Sequence, residues 1–193
     1  MRRLCVFCGS SCGSDPRYRD AATELGRLLA RRGIGLVFGG GSVGLMGVVA
    51  DAVLAGGGDV VGVIPHALAA RELAHREVAD MRVVPSMHAR KALMAELADG
   101  FVALPGGLGT FEELLEIATW GQLGIHRKPV GVLNVASYYA PLSSLLDHAV
   151  REGFVSAKNR RLITFADAPA ELLDGLAAHH PPEAPEWITP DET

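Results

Sequence analysis

Short apolar runs alternate along the chain with stretches in which apolar residues recur every three or four positions. The runs Leu4–Cys8, Ile34–Phe38, Val60–Ile64, Met81–Val84, Phe101–Leu104 and Val130–Leu133, with a short one near Leu162–Thr164, read as strands. The periodic stretches Tyr18–Arg31, Val43–Ala55, Ser86–Ala98, Thr110–Leu123, Tyr138–Glu152 and Ala168–Ala178 read as helices. Between Pro65 and Asp80 no clean period holds, and that segment reads as a loop with one helical turn. Strand alternating with helix means βαβ units. The pattern predicts an α/β, Rossmann-like doubly wound fold, with a mostly parallel sheet and helices on both faces. Such sheets bind ligands at the carboxyl ends of their strands. Residues 1–180 read as one nucleotide-binding domain, and residues 181–193, rich in proline, as a flexible tail.

Composition narrows the classes. Of 193 residues, 49% are hydrophobic, so the chain has the means to build a sizeable core. The net charge is −4 and no basic stripe occurs, so nucleic acid is not an expected partner. No apolar run reaches the length of a membrane span, and Leu4–Cys8 is too short for a signal peptide, so no membrane partner and a cytoplasmic location are expected. Cys5, Cys8 and Cys12 cannot supply the four ligands of a structural zinc, and their apolar flanks favour a core strand. No metal and no cofactor are expected.

Three features carry candidate chemistry. Gly39-Gly40-Gly41-Ser42-Val43-Gly44 follows a strand and opens a helix, as a phosphate-binding turn does. A dinucleotide site would also want an acidic residue at the far end of the next strand, where this chain has Pro65-His66. Gly40 and Gly41 are therefore read as a phosphate-facing turn, the alternative being a turn that serves packing only. The second feature is Pro105-Gly106-Gly107-Leu108-Gly109-Thr110-Phe111-Glu112-Glu113, where glycines would let helix N-terminal N–H groups approach an anion. Thr110 and Glu113 also fit a capping box, which would explain both without catalysis. Helical spacing puts Phe111, Leu114, Leu115 and Ala118 on one apolar stripe and Glu113 nearly opposite, with Ile117 and Trp120, on a face expected to meet another subunit or a pocket wall. The third feature is Arg90, placed on the stripe of Leu93, Met94 and Leu97, where it either snorkels or meets an anion such as Glu113 or a phosphate. His88 and Lys91 are expected to point elsewhere, to solvent or a rim.

Met87-His88-Ala89-Arg90-Lys91-Ala92-Leu93-Met94 and the Pro105–Glu113 run closely resemble the LOG ("Lonely Guy") family, marked by P-G-G-x-G-T-x-x-E and an upstream R-K pair. The resemblance also takes in Val6–Ser11, Gly39–Gly47 and Thr119–His126, and covers roughly residues 4 to 165. It implies a cytokinin riboside 5′-monophosphate phosphoribohydrolase, which releases free base and ribose 5-phosphate from N6-substituted AMP and from AMP. It implies Arg90 and Glu113 as the catalytic pair. It implies a nucleotide site lined by Lys91, Gly106, Gly107, Leu108, Gly109, Thr110, Phe111, Glu112 and Thr119, with Glu72 as a further substrate contact, and a homodimer. Leu108 stands where many members carry tyrosine, and the Pro65–Asp80 loop is alanine-rich. The label lysine decarboxylase, attached to some relatives, would need a Schiff-base lysine with pyridoxal phosphate. Lys91 is the only lysine near the motifs, and nothing around it in sequence argues for that role. The rival classes are a non-catalytic nucleotide or cofactor carrier of the same fold and an NAD-dependent enzyme.

Overall fold

The structure, a computed structural model, describes residues 1–69 and 74–180. Seven strands form one sheet: β1 (Arg3–Phe7), β2 (Gly35–Phe38), β3 (Val60–Pro65), β4 (Asp80–Val84), β5 (Gly100–Ala103), β6 (Val130–Leu133) and β7 (Ile163–Ala166). Their order is β4-β3-β2-β1-β5-β6-β7, and every pairing is parallel. The sequence pattern anticipated a mostly parallel sheet, and the sheet is parallel throughout. The order reverses direction between β1 and β5, so a crevice opens there at the carboxyl ends of the strands.

Helices cover both faces. On one side α1 (Pro16–Arg31), α2 (Gly44–Ala55) and α8 (Pro169–Ala177) bury Leu25, Leu29, Val49, Val53 and Leu172 against the sheet. On the other, α4 (Met87–Leu97), α5 (Leu108–Leu123) and α6 (Ala140–Arg151) bring Met94, Leu114, Ile117 and Leu146 to the second layer of core. Burial on both faces explains why β1, β2, β5 and β6 read as unbroken apolar runs rather than as alternation. Local chemistry sets the helix ends. Asp15 caps α1 by accepting from Arg17 N at 2.9 Å, ahead of Pro16, which lacks an N–H to satisfy. Gly124 ends α5 in the left-handed conformation, with φ 86°.

The segment read as a loop with one turn contains a short helix, α3 (His66–Ala69), and a bridge between Gly41 and Ala74. Glu72 lies outside the described residues, as does the whole 181–193 segment. The helix read as starting at Tyr138 instead begins at Ala140, after a 3-10 turn at Val135–Ser137, and a short helix α7 (Ala157–Arg160) precedes β7. Among the described residues, no helix is long and apolar enough to cross a membrane.

Candidate active site

Two helices meet above the carboxyl end of the sheet. Ser86 caps α4 by accepting from Ala89 N at 3.1 Å, which sets Arg90 and Lys91 on the next turn. Helix α5 follows β5 through the Pro105–Gly107 turn and begins at Leu108, with Gly107 at the cap position and no side-chain cap. The capping box is therefore absent. Thr110 and Glu113 lie inside the helix and are 3% and 7% exposed. The face carrying Thr110, Glu113, Leu114, Ile117 and Gly121 is the one turned inward. Ile117 is buried by the protein's own core, whereas Leu115, placed on the apolar stripe by spacing, is exposed. The face of Glu113, Ile117 and Trp120, expected to meet another subunit or a pocket wall, meets this chain's own core layer.

Glu113 Oε1 lies 3.4 Å from Arg90 Nη2, and both side chains are almost wholly out of water. Burial pushes the Glu113 carboxyl above the usual carboxylate range, and Arg90 offsets only part of that. The guanidinium sits against Gly39, just past the end of β2. A Cβ added at Gly39 would stand 1.9 Å from Arg90 Nη2, so the missing side chain there makes the space that Arg90 fills. Arg90 Nη1 reaches Met87 Sδ at 3.7 Å, and buried Nε has no partner among the described residues. A buried guanidinium with one long ion pair and a spare N–H retains capacity for an anion.

Lys91 was expected at a rim and is instead 9% exposed. Its Nζ bonds Glu112 Oε1 at 2.5 Å and Glu116 Oε1 at 2.9 Å, tying α4 to α5. Burial works against the ammonium, but the two carboxylates outweigh it and hold Lys91 above the usual lysine range. A lysine kept charged in this way is a poor Schiff-base nucleophile.

Gly107 and Gly109 are exposed, and a Cβ at either would meet open space. Leu108 is 86% exposed between them. Gly106 is different: a Cβ there would sit 2.1 Å from Thr110 Oγ1, so this glycine is required by close packing of the turn on its own helix. Phe111 packs its ring against Tyr138 and Tyr139. Thr119 is exposed two turns further along, its hydroxyl donating to Leu115 O at 2.7 Å. Gly40 and Gly41 are buried: Gly40 O accepts from His75 N at 2.9 Å, and Gly41 bridges Ala74. The turn after β2 thus packs against Arg90 through Gly39 and against the His75 segment through Gly40 and Gly41. Cys5 and Cys8 are buried, and burial pushes both thiols up, so they behave as apolar core residues.

Sequence reasoning missed the Tyr138–Tyr139 pair. Tyr138 Oη donates to Gly106 O, and Tyr139 Oη to Leu104 O at 2.7 Å. Tyr138 also helps wall a cavity of about 280 Å³ between the Gly9–Gly13 loop and the Pro105–Gly107 turn, facing Tyr18. The only trace in the sequence was two adjacent aromatics just past the carboxyl end of a strand.

Comparison with known proteins decides the family. The model of a family described as "Possible lysine decarboxylase" matches residues 46–176. The cytokinin riboside 5′-monophosphate phosphoribohydrolase LOG of Oryza sativa subsp. japonica is 54% identical over 94% of this chain and 75% of its own length. The chain belongs to the LOG family. Another LOG enzyme, cytokinin riboside 5′-monophosphate phosphoribohydrolase LOG7 of Arabidopsis thaliana, is also 54% identical, over 94% of this chain and 83% of its own. Solved structures share the LOG fold at lower identity. A molybdenum cofactor binding protein from Rippkaea orientalis has a TM-score of 0.69 at 20% identity, covering 91% of this chain and 95% of that one. The molybdenum cofactor carrier protein of Chlamydomonas reinhardtii has a TM-score of 0.67 at 21% identity, covering 92% and 98%. These two likenesses show the fold alone.

Proposed function

We propose that this LOG-family protein hydrolyses the N-glycosidic bond of cytokinin riboside 5′-monophosphates, that is N6-substituted AMP, and of AMP. The observation that carries the reading is the buried Arg90–Glu113 pair beside an open glycine turn at the carboxyl end of the sheet. A simple nucleotide carrier has no need of a desolvated carboxylate at that point, and relatives at 54% identity carry the name of the activity.

In the reaction the bond from ribose C1′ to the base nitrogen breaks, and its electron pair leaves on the base. Water adds to C1′, and the base takes up a proton. Positive charge grows on the ribose ring as the bond opens, and the Glu113 carboxylate stabilises it and accepts a proton from the attacking water. Burial raises the basicity of Glu113, which suits it to that second task. Arg90, seated on Gly39, orients Glu113 and offers its spare Nε–H to the ribose phosphate or a ribose hydroxyl. The N–H groups of the Gly106–Thr110 turn hold the 5′-phosphate at the start of α5. Lys91, Glu112 and Glu116 lock α4 on α5, so that Arg90 and Glu113 keep their distance. Thr119, and Glu72 on the family resemblance alone, remain in the reading as contacts of the nucleotide.

The reading includes a homodimer. Met87, Leu108 and Leu115 leave apolar surface exposed on α4 and α5, and a second copy would cover it. Release of free base from AMP, N6-isopentenyl-AMP, CMP and GMP, followed by chromatography, tests the function. The adenine nucleotides are expected to yield base and ribose 5-phosphate, with the prenylated one favoured. Absence of base from all four would leave the carrier reading in its place.

A further inference from the structure

The backbone carbonyls that lead into α5 are all occupied. Leu104 O accepts from Tyr139 Oη at 2.7 Å, Pro105 O from Gly9 N at 3.0 Å, Gly106 O from Tyr138 Oη, and Gly107 O from Phe111 N at 3.1 Å. Two of the four donors are neighbouring tyrosines from one loop, although that loop follows β6 and is some thirty residues away in sequence. The loop is strained to place them. Ala136 and Ser137 have φ of 52° and 59°, a left-handed conformation that side chains with a Cβ adopt at a cost. Asn134 holds the far side of the kink: its Oδ1 accepts from Tyr139 N at 2.8 Å, and its Nδ2 donates to Asp167 Oδ1 at 3.0 Å. Strain kept in place by anchors on both sides is the signature of a conformation held for a purpose.

The purpose follows from electrostatics. A turn that binds an anion must present N–H groups, and a carbonyl dipole aimed at the same spot repels the ligand. Gly106 is the position most at risk, since it has no side chain to restrict its peptide and is followed by the open positions Gly107 and Gly109. We infer that Tyr138 is a positioning residue: its hydroxyl pins the Gly106 carbonyl away from the anion site, so the turn offers N–H groups alone to the 5′-phosphate. Tyr139 holds the Leu104 carbonyl two residues earlier, from a fully buried position. The inference rests on the phosphate-binding role given above to the Gly106–Thr110 turn.

The hydroxyl acts on the phosphate end of the substrate and not on the reacting carbon. Tyr138→Phe is therefore expected to raise KM for the nucleotide roughly 3- to 10-fold, the scale of one hydrogen bond, and to change kcat much less. It should weaken inorganic phosphate, measured by calorimetry, by the same factor and leave free adenine unaffected. The ring keeps its contacts with Tyr18, Phe111 and Tyr139, and half-exposed Gly106 can take a water in place of the hydroxyl, so the fold is expected to persist. Asn134→Ala loosens the same loop without altering either tyrosine and should weaken phosphate in the same direction. Unchanged phosphate affinity in both folded variants overturns the inference. If the wild-type protein releases no base, the enzymatic reading falls, and the phosphate titration still decides the role of Tyr138.

Discussion

At the scale of single residues, the site depends on one absent side chain. Arg90 can lie beside Glu113 because Gly39 leaves room for its guanidinium. Gly39→Ala would force the guanidinium to move by more than an ångström, and displacement on that scale lowers rates about 100-fold. Steady-state kinetics on the folded variant check this, with kcat expected to fall more than phosphate affinity. The state of Glu113 makes a second prediction. In the proposed mechanism its ionised form is the active one, and burial raises its pKa, so the acid limb of kcat/KM should lie above the usual glutamate value of about 4.3. The linkage to stability has the opposite sense. A carboxyl with a raised folded-state pKa favours the fold when protonated, so this group adds stability as pH falls through that pKa. Activity should therefore be lost on acidification before the fold is, which parallel pH series of rate and circular dichroism would show. That Arg90 would need a partner, with Glu113 a candidate, was legible in the sequence, because a charge on an apolar stripe demands one, and the two side chains do meet. The notch at Gly39 was not, because G-x-G-x-x-G spacing fits a phosphate turn and a packing turn equally well.

At the scale of elements, the sequence reading held where periodicity was strong and failed where backbone geometry decided. The seven strands and the helix following each motif fall within a few residues of their expected bounds. The start of α5 was misplaced by two residues, because Thr110 and Glu113 mimic a capping box while the chain in fact enters the helix from an uncapped Gly107. That shift matters: it turns Thr110 into a buried packing residue and Glu113 inward. Lys91 was misjudged for a related reason, since its partners Glu112 and Glu116 come from a different helix and no local spacing reveals them. The kink at Ala136–Ser137 was invisible, as neither residue type prefers a left-handed backbone. Ala136→Gly should relieve that conformation and stabilise the protein by about 1 kcal/mol, less the entropy gained by the unfolded chain. In a chain of this size the thermal midpoint would rise by roughly 2–4 °C. A fall in the midpoint would mean that the left-handed pair carries no strain.

At the scale of the whole molecule, a parallel sheet with its order reversal between β1 and β5 gathers the turn after β5, the end of β2 and two helices at one edge. The same architecture serves molybdenum cofactor binding proteins, so architecture does not choose between carrying a ligand and cleaving one. The choice has to be argued from residues, and at that edge this chain carries the desolvated Arg90–Glu113 pair. Exposed Met87, Leu108 and Leu115 leave apolar surface that the proposed dimer would cover. Light scattering is expected to give a mass near twice 20.3 kDa, and charged residues placed at Leu108 and Leu115 should return it to that of one chain. The central claim is that the Glu113 carboxylate drives glycosidic cleavage, and its most direct test is base release from N6-isopentenyl-AMP by Glu113→Gln. The account predicts a loss of at least about 100-fold in kcat, with inorganic phosphate binding retained. Undiminished release of base by the folded variant would contradict it.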